Sequence, residues 1–508
     1  MPSVSARKTR ARPVVIEAFK ALHRKVLEDQ TDDGLVALRR FLDQWSPEKF
    51  AAPHFHEKMT AFNVAFQLDG TERELIHDRP AAVAICDEQR TQVAATTTAF
   101  CLVRGRRLPV VRLHPKIKGV DNTASPEVPL VSFNEPSFTS YGKEQGYNAP
   151  TSEEAAGRYT AALTALLNRS TSRNRLARGI GDATVVFWAD TSAAADEAAA
   201  QAAEAWFAAA TEPPGDAEEA KKLRDQLELV MAGRPVETLA ASLQAKTRFH
   251  VLGLAPNAAR LSVRYWMSDD FGAFANRIAQ HYQALRIEPV PRAWDLPSLN
   301  LILARTTALL GKFDNIPSGL AGEVARAFLT SAPYPRTFLI AALTRLRAGD
   351  DPGSGWHAAV VKACLNTNPF EEDLPVALEP DNPSAAYQLG RLFAVLEAAQ
   401  FTALRQVNAS IGDRYYAAAS TTPARVFGTL LRGLKNHVSD ARKRGQGGWI
   451  EPRVAEIISR LPVELPKTLK LEDQGRFAVG YYHERATPRA KTDETAPTAE
   501  VSAKGNDQ

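Results

Sequence analysis

The sequence predicts an α+β protein, with a mixed N-terminal α/β region followed by a C-terminal all-α helical bundle. Three observations carry that reading. Short apolar or alternating blocks recur between Phe62 and Trp266, as strands require. From Phe271 onward only patterns of helical period remain. The chain of 508 residues, 44% of them hydrophobic, exceeds what one core organises, so two to four domains are expected. The boundaries read as an α+β region over 1–370, a linker over 371–384, the bundle over 385–485 and a disordered tail over 486–508.

Taken in order, Val14 to Trp45 carries helical spacing through Phe19, Leu22, Val26 and Leu27, then Leu35, Leu38, Phe41 and Leu42. "FNVAFQL" from Phe62 and "AFCLVRGRRLPVVRL" from Ala99 read as strands. Ser152 to Leu167 reads as a helix, because "TSEE" supplies a cap and first-turn acids. "ATVVFWA", Ala183 to Ala189, is apolar throughout and short, the pattern of a buried strand. The alanine-rich stretch "SAAADEAAAQAAEAWFAAA" is a helix, and "EPPGDAEEA" marks the turn after it. Thr247 to Trp266 reads as two strands joined at Pro256 and Asn257. "NPFEEDLPVALEPDNPS", Asn368 to Ser384, is rich in proline and acid and reads as the linker. In the bundle beyond it, Leu389, Leu392, Phe393 and Leu396 form one apolar stripe.

Composition narrows the function. The three cysteines, Cys86, Cys101 and Cys364, lack ligand-like spacing, so neither a disulfide framework nor a zinc site is expected. The basic N-terminus has no continuous apolar core, which argues against a signal peptide, and no run approaches the length that spans a bilayer. A cytoplasmic protein is expected. "HFH", His54 to His56, lacks a third metal-ligand partner at a suitable spacing. Gly179 and Gly181 precede a strand instead of following one, the wrong order for a phosphate-cradling loop. No nucleophile elbow, paired-carboxylate motif or Walker sequence appears, so a non-enzymatic binding protein without a cofactor is the expectation.

The formal net charge of +4 is modest, but its distribution is not. No acid occurs between Glu88 and Asp121, where Arg90, Arg104, Arg106, Arg107, Arg112, Lys116 and Lys118 lie. None occurs between Glu154 and Asp182, which holds Arg158, Arg169, Arg173, Arg175 and Arg178. Clustered cations of this kind displace counterions from a phosphate backbone. The two stretches flank "FNEPSFTSYGKEQGYNAP", Phe133 to Pro150, which has neither helical nor strand periodicity. Its aromatics offer stacking faces, its amides offer paired donors and acceptors, and its glycines let backbone approach a ligand.

"LVSFNEPSFTSYGKEQGYNAPTSEEAAGRYTAALTALL", "IGDATVVFWAD", "FHVLGLAPNAARLSVRYW", "YQLGRLFAVLEAAQ", "NASIGDRYYAAASTTPARVF" and "LEDQGRFAVGYYHER" occur in this order. On these segments the chain resembles the large subunit of the type I-C CRISPR surveillance complex, Cascade. Members of that family usually carry about a hundred further residues before the helix that starts here near Val14. The resemblance implies a non-catalytic subunit of a crRNA-guided antiviral complex. Guide pairing reads the target, while the protein reads a short protospacer-adjacent motif in double-stranded DNA and holds the strands apart. It also implies R-loop stabilisation and recruitment of a helicase-nuclease. The implied partners are the backbone, crRNA-processing and small subunits, the target duplex and its displaced strand.

Under that resemblance Asn134, Gln145 and Asn148 are candidates for base edges, Phe138, Tyr141 and Tyr147 for stacking or wedging, and Lys143 for a phosphate. Arg104, Arg106, Arg107, Arg173, Arg175 and Arg178 are candidate phosphate contacts. In the bundle, Arg391, Arg405, Arg414, Arg425, Arg432, Lys435, Arg442, Lys443 and Arg444 are candidates for tracking the displaced strand. The family's gene also yields a small subunit from an internal start, here expected near Val376. The competing readings are a stand-alone nuclease and a purely structural scaffold, the latter with weak salt dependence of DNA binding.

Overall fold

The computed structural model describes residues 13–50, 55, 64–70, 74–93, 97–191, 197–294, 296–369, 373–404 and 407–487. His54, His56, Arg405 and the expected tail from 488 lie outside them. The chain divides into two compact units, 1–113 with 135–156, and 114–134 with 157–508.

In the first unit, the helical period at the start of the chain becomes α1, Pro13–Val26, and α2, Asp33–Gln44. Asp32 separates them by capping α2: its carboxylate accepts from the Leu35 N–H at 3.1 Å and from Arg79 Nε at 2.8 Å. Leu27, Leu35 and Ile76 pack with Ala82 of α3, Pro80–Val93. The strand expected at "FNVAFQL" is, in its described part, a single bridge between Gln67 and Leu75. The long strand expected from Ala99 is a short hairpin, β1 (Thr98–Phe100) against β2 (Arg107–Pro109). Gly105, at φ +64°, supplies the left-handed residue that turns it, and its N–H donates to the Cys101 carbonyl at 2.9 Å.

The second unit is built on a three-stranded antiparallel sheet. Strands β3 (Lys116–Lys118) and β4 (Glu127–Pro129) pair as a hairpin, followed in the chain by α4, Glu153–Leu167. The sheet itself runs β5 (Thr184–Ala189), β6 (Arg248–Asn257), β7 (Arg260–Asp270). The β6–β7 turn falls at Ala258 and Ala259, not at Pro256 and Asn257, which remain paired in the ladder; Ala258 takes φ +52°. Alternation then divides the strands. Val185, Phe187, Phe249, Val251 and Tyr265 face a core shared with α5 (Glu197–Thr211), α6 (Ala217–Met231) and α7 (Phe271–Leu285). Val186, Leu252, Leu254 and Leu261 face the other way, against Ile117, Val128, Leu163 and Leu167.

Helices α8 (Leu299–Thr307), α9 (Ser318–Thr330), α10 (Arg336–Arg347) and α11 (Trp356–Asn366) continue the first of these cores. It runs on through α12 (Ala385–Ala403), α13 (Ile411–Ala419), α14 (Pro423–Lys443), α15 (Ile450–Ile458) and α16 (Leu471–Ala486). The stretch expected as a linker is anchored along its described part. Leu374 is buried and bonded through its backbone to the Asn366 amide, and the Val376 carbonyl accepts from the Glu288 N–H at 2.7 Å. Helices α12 and α16 cross without intervening side chains: a Cβ on Gly390 would sit 2.0 Å from the Phe477 carbonyl oxygen, and one on Gly480 2.2 Å from that of Tyr387.

Candidate nucleic-acid interface

In the first unit, the end of the aromatic and amide loop is fastened to the strand that leaves β2. The Gly146 N–H donates to the Arg112 carbonyl and the Val111 N–H to that of Thr151, and the Leu102 N–H reaches the Pro150 carbonyl. Gly146 is required there, because a Cβ would stand 2.6 Å from the Arg112 oxygen. Cys101 is buried beneath. Burial pushes its thiol up, but N–H groups of Ser152, Arg104 and Val103 aimed at the sulfur outweigh that and hold it down at about 7.

Two of the three amides hold the loop. Asn148 Nδ2 donates to the carbonyls of Lys143 and Gln145 at 2.8 and 3.1 Å, and the Gln145 side-chain oxygen accepts from Arg112. Asn134, which belongs to the second unit, is exposed. Phe138 and Tyr147 are half-buried, while Lys143 is exposed.

The middle of the loop is a tight turn. The Lys143 N–H donates to the Ser140 carbonyl at 2.9 Å, and the two central residues, Tyr141 and Gly142, take φ +51° and +69°. Two positive φ values are the signature of a type I′ turn, for which Asn-Gly is the usual pair. An aromatic residue in that first position is strained by roughly 1 kcal/mol. Its ring makes up for none of this by packing, since Tyr141 is 98% exposed. In the same unit, the β1–β2 turn and the start of β2 carry Arg104, Arg106 and Arg107 at the surface together with exposed Leu102 and Val103. Arg104 lies 3.9 Å from Glu154.

In the second unit the candidate arginines separate sharply. Arg173 is exposed, with its guanidinium 3.8 Å from Glu204, and Arg178 lies over the Phe313 ring at 5.1 Å. Arg175 does not belong with them. Its side chain is 3% exposed, donates to the carbonyls of Gly119 and Leu167 and pairs with Asp121 at 2.7 Å. Burial opposes charge on Asp121, yet Arg169 and Arg175 together hold its carboxyl below the usual range. Arg175 therefore serves the fold.

The bundle shows the same division. Arg391 is fully buried and ties Glu456 and Glu484 to the Pro380 carbonyl, which removes it from the strand-tracking set. Arg414, Arg425, Arg432, Lys435, Arg442, Lys443 and Arg444 are exposed; Arg442 pairs with Glu451, and Lys443 with Asp440 at 2.9 Å. On α14, Arg425, Arg432 and Lys443 fall on one line at close to whole multiples of the helical repeat, opposite buried Phe427, Leu430, Leu434 and Val438, while Arg442 lies about a quarter-turn round from them. Among the described residues no group of three His, Cys, Asp or Glu side chains is placed to hold a metal ion, and no helix is long and apolar enough to cross a membrane.

Sequence reading missed one surface. Trp188, His250 and Trp266 sit together on one side of the sheet, although the run containing Trp188 reads as a buried strand and that containing His250 and Trp266 only as two strands. The signal was the alternation itself, which puts every second residue of β6 and β7 on the opposite face.

Comparison with known proteins sets the chain in a class. A family model described as a CRISPR-associated protein matches residues 3–488, nearly the whole chain. That model is Cas_Csd1, and the chain belongs to this family, the large subunits of the type I-C Cascade. No curated protein matches the chain.

Proposed function

We propose that this large subunit reads the protospacer-adjacent motif of double-stranded target DNA through the 133–150 loop, helps part the strands and carries out no chemistry of its own. The observation that carries the reading is Tyr141: an aromatic ring held by a left-handed backbone at the apex of a tight turn, wholly in solvent. Strain kept at a site with no packing benefit is a mark of function. A ring in that position can stack on or wedge between bases, with Lys143 two residues on and Arg104, Arg106 and Arg107 in the same unit supplying phosphate contacts. Gln145 and Asn148 act by holding the loop, and Asn134 is the exposed amide of the three. The exposed line on α14 is suited to the displaced strand. Membership of the family supports assembly with other Cas subunits, and recruitment of a helicase-nuclease belongs to the same proposal.

The test is Tyr141→Gly in the assembled complex. Glycine accepts the positive φ, so the thermal midpoint should not fall. Gel-shift titration with correct and scrambled flanking motifs should show the preference shrinking by about tenfold, the scale of one base-pair discrimination. Undiminished preference would remove the loop from motif reading and favour a scaffold.

A further inference from the structure

We propose that the face of the sheet carrying Trp188, His250 and Trp266 is a stacking platform for an unpaired nucleotide, with Arg173 and Arg248 receiving its phosphates. The ring centroids are 5.2 Å apart for Trp188–His250, 5.5 Å for His250–Trp266 and 5.4 Å for Trp188–Trp266. Three near-equal separations make a triangle; a column would put the outer rings about twice as far apart. His250 stacks on both indoles, at 28° and 14°, while the indoles tilt 41° to each other, so the three rings form one offset, face-contacting cluster. Trp266 is half exposed, which leaves a broad indole in water on a face whose other end is covered by packed apolar residues.

The register explains how the platform is held. Trp188 pairs with His250 across β5 and β6, and Leu252 pairs with Trp266 across β6 and β7, so one diagonal step brings all three together. His250 is fixed by Asp190, 3.1 Å from its Nε2. Cations stand at the rim. Arg248, two residues before His250 on the same face, is 3.7 Å from Asp270, a loose and solvated pair. At the other edge Arg175 bridges to Val186, and two residues before it Arg173 is exposed, with its guanidinium 3.8 Å from Glu204. An aromatic cluster with one indole half exposed and exposed arginines near it matches a nucleotide, whose base has a π-face and whose phosphate is charged. A protein partner is a poorer match, because three rings fall far short of the roughly 800 Å² per side that a stable interface covers.

The experiment titrates the full-length protein with labelled oligo(dT), oligo(U) and a duplex of equal length. Trp266→Ala should weaken single-strand binding about tenfold, the effect of one lost stacking contact, and Trp266→Phe should restore most of it. Duplex binding should change little. Arg173→Ala with Arg248→Ala should lower the salt slope of strand binding by about 1.4, two phosphates at roughly 0.7 each. Tighter binding of oligo(dT) assigns the platform to a DNA strand, and of oligo(U) to an RNA strand. The probe carries no flanking motif, so the result stands apart from the Tyr141 reading, and Tyr141→Gly should leave it unchanged. The proposal is overturned if Trp266→Ala binds strands as tightly as the native protein, or if it loses strand and duplex equally and phenylalanine rescues neither. It is equally overturned if the variant binds strands normally but no longer assembles with other subunits.

Discussion

Arg173 and Arg175 stand two positions apart in one basic stretch and have opposite fates. Composition treats them alike, because what separates them is a pairing made far along the chain: Arg175 lies against Val186, where its guanidinium finds Asp121 and two carbonyls. Arg175→Ala would leave those acceptors without their donor, and we expect a loss on the order of 3 kcal/mol, read from the denaturant midpoint. The salt slope of DNA binding should be unaffected. Neutralising exposed Arg104, Arg106 and Arg107 should do the reverse, lowering the slope by about one unit per lost phosphate contact at unchanged stability. A shallower slope in Arg175→Ala would contradict its burial. The amides teach the same lesson: the sequence shows that Gln145 and Asn148 carry hydrogen-bonding groups, but not that the loop's own carbonyls and Arg112 already engage them.

At the scale of elements, α12 was legible as an apolar stripe, and Leu389, Leu392, Phe393 and Leu396 are all buried. What the stripe did not disclose is that the opposite side is buried too, with Gln388 and Arg391 inside. A helix covered all round needs neighbours on every side, and the glycine contacts with α16 are how one of them comes so close. Gly480→Ala should therefore destabilise the protein by about 2 kcal/mol or more, since the new methyl meets backbone that cannot rotate away. Gly428→Ala on α14, where a Cβ would meet nothing within 4 Å, is the control and should be neutral or slightly stabilising. Equal melting temperatures for the two variants would refute the close crossing. The hairpin at β1 and β2 escaped sequence reading for a related reason: "CLV" looks like buried strand, but Leu102 and Val103 lie in a turn at the surface.

For the molecule as a whole, acid should be the main chemical threat. His483 and His281 are buried, and burial pulls them down to about 4 and about 3 from an ordinary 6.5. The folded state thus keeps both neutral while the unfolded chain takes up protons, so their contribution to stability is complete above about 6.5 and is lost as pH falls towards 4. Thermal midpoints across that range should decline, and less steeply in His483→Gln; identical slopes would show that His483 does not report the transition. Fold class was legible at this scale, because period and composition change near Phe271. The division into units was not, because 114–134 joins strands far along the chain while the residues on either side of it, up to 113 and from 135 to 156, belong elsewhere. The crossing of α12 with α16 has one more consequence, for synthesis on the ribosome. Gly390 meets its neighbour only when Phe477 to Tyr481 have been translated, so α12 leaves the exit tunnel with one face bare and waits for α16. A premature stop before codon 477 would strand it permanently, and such nonsense alleles should behave as nulls.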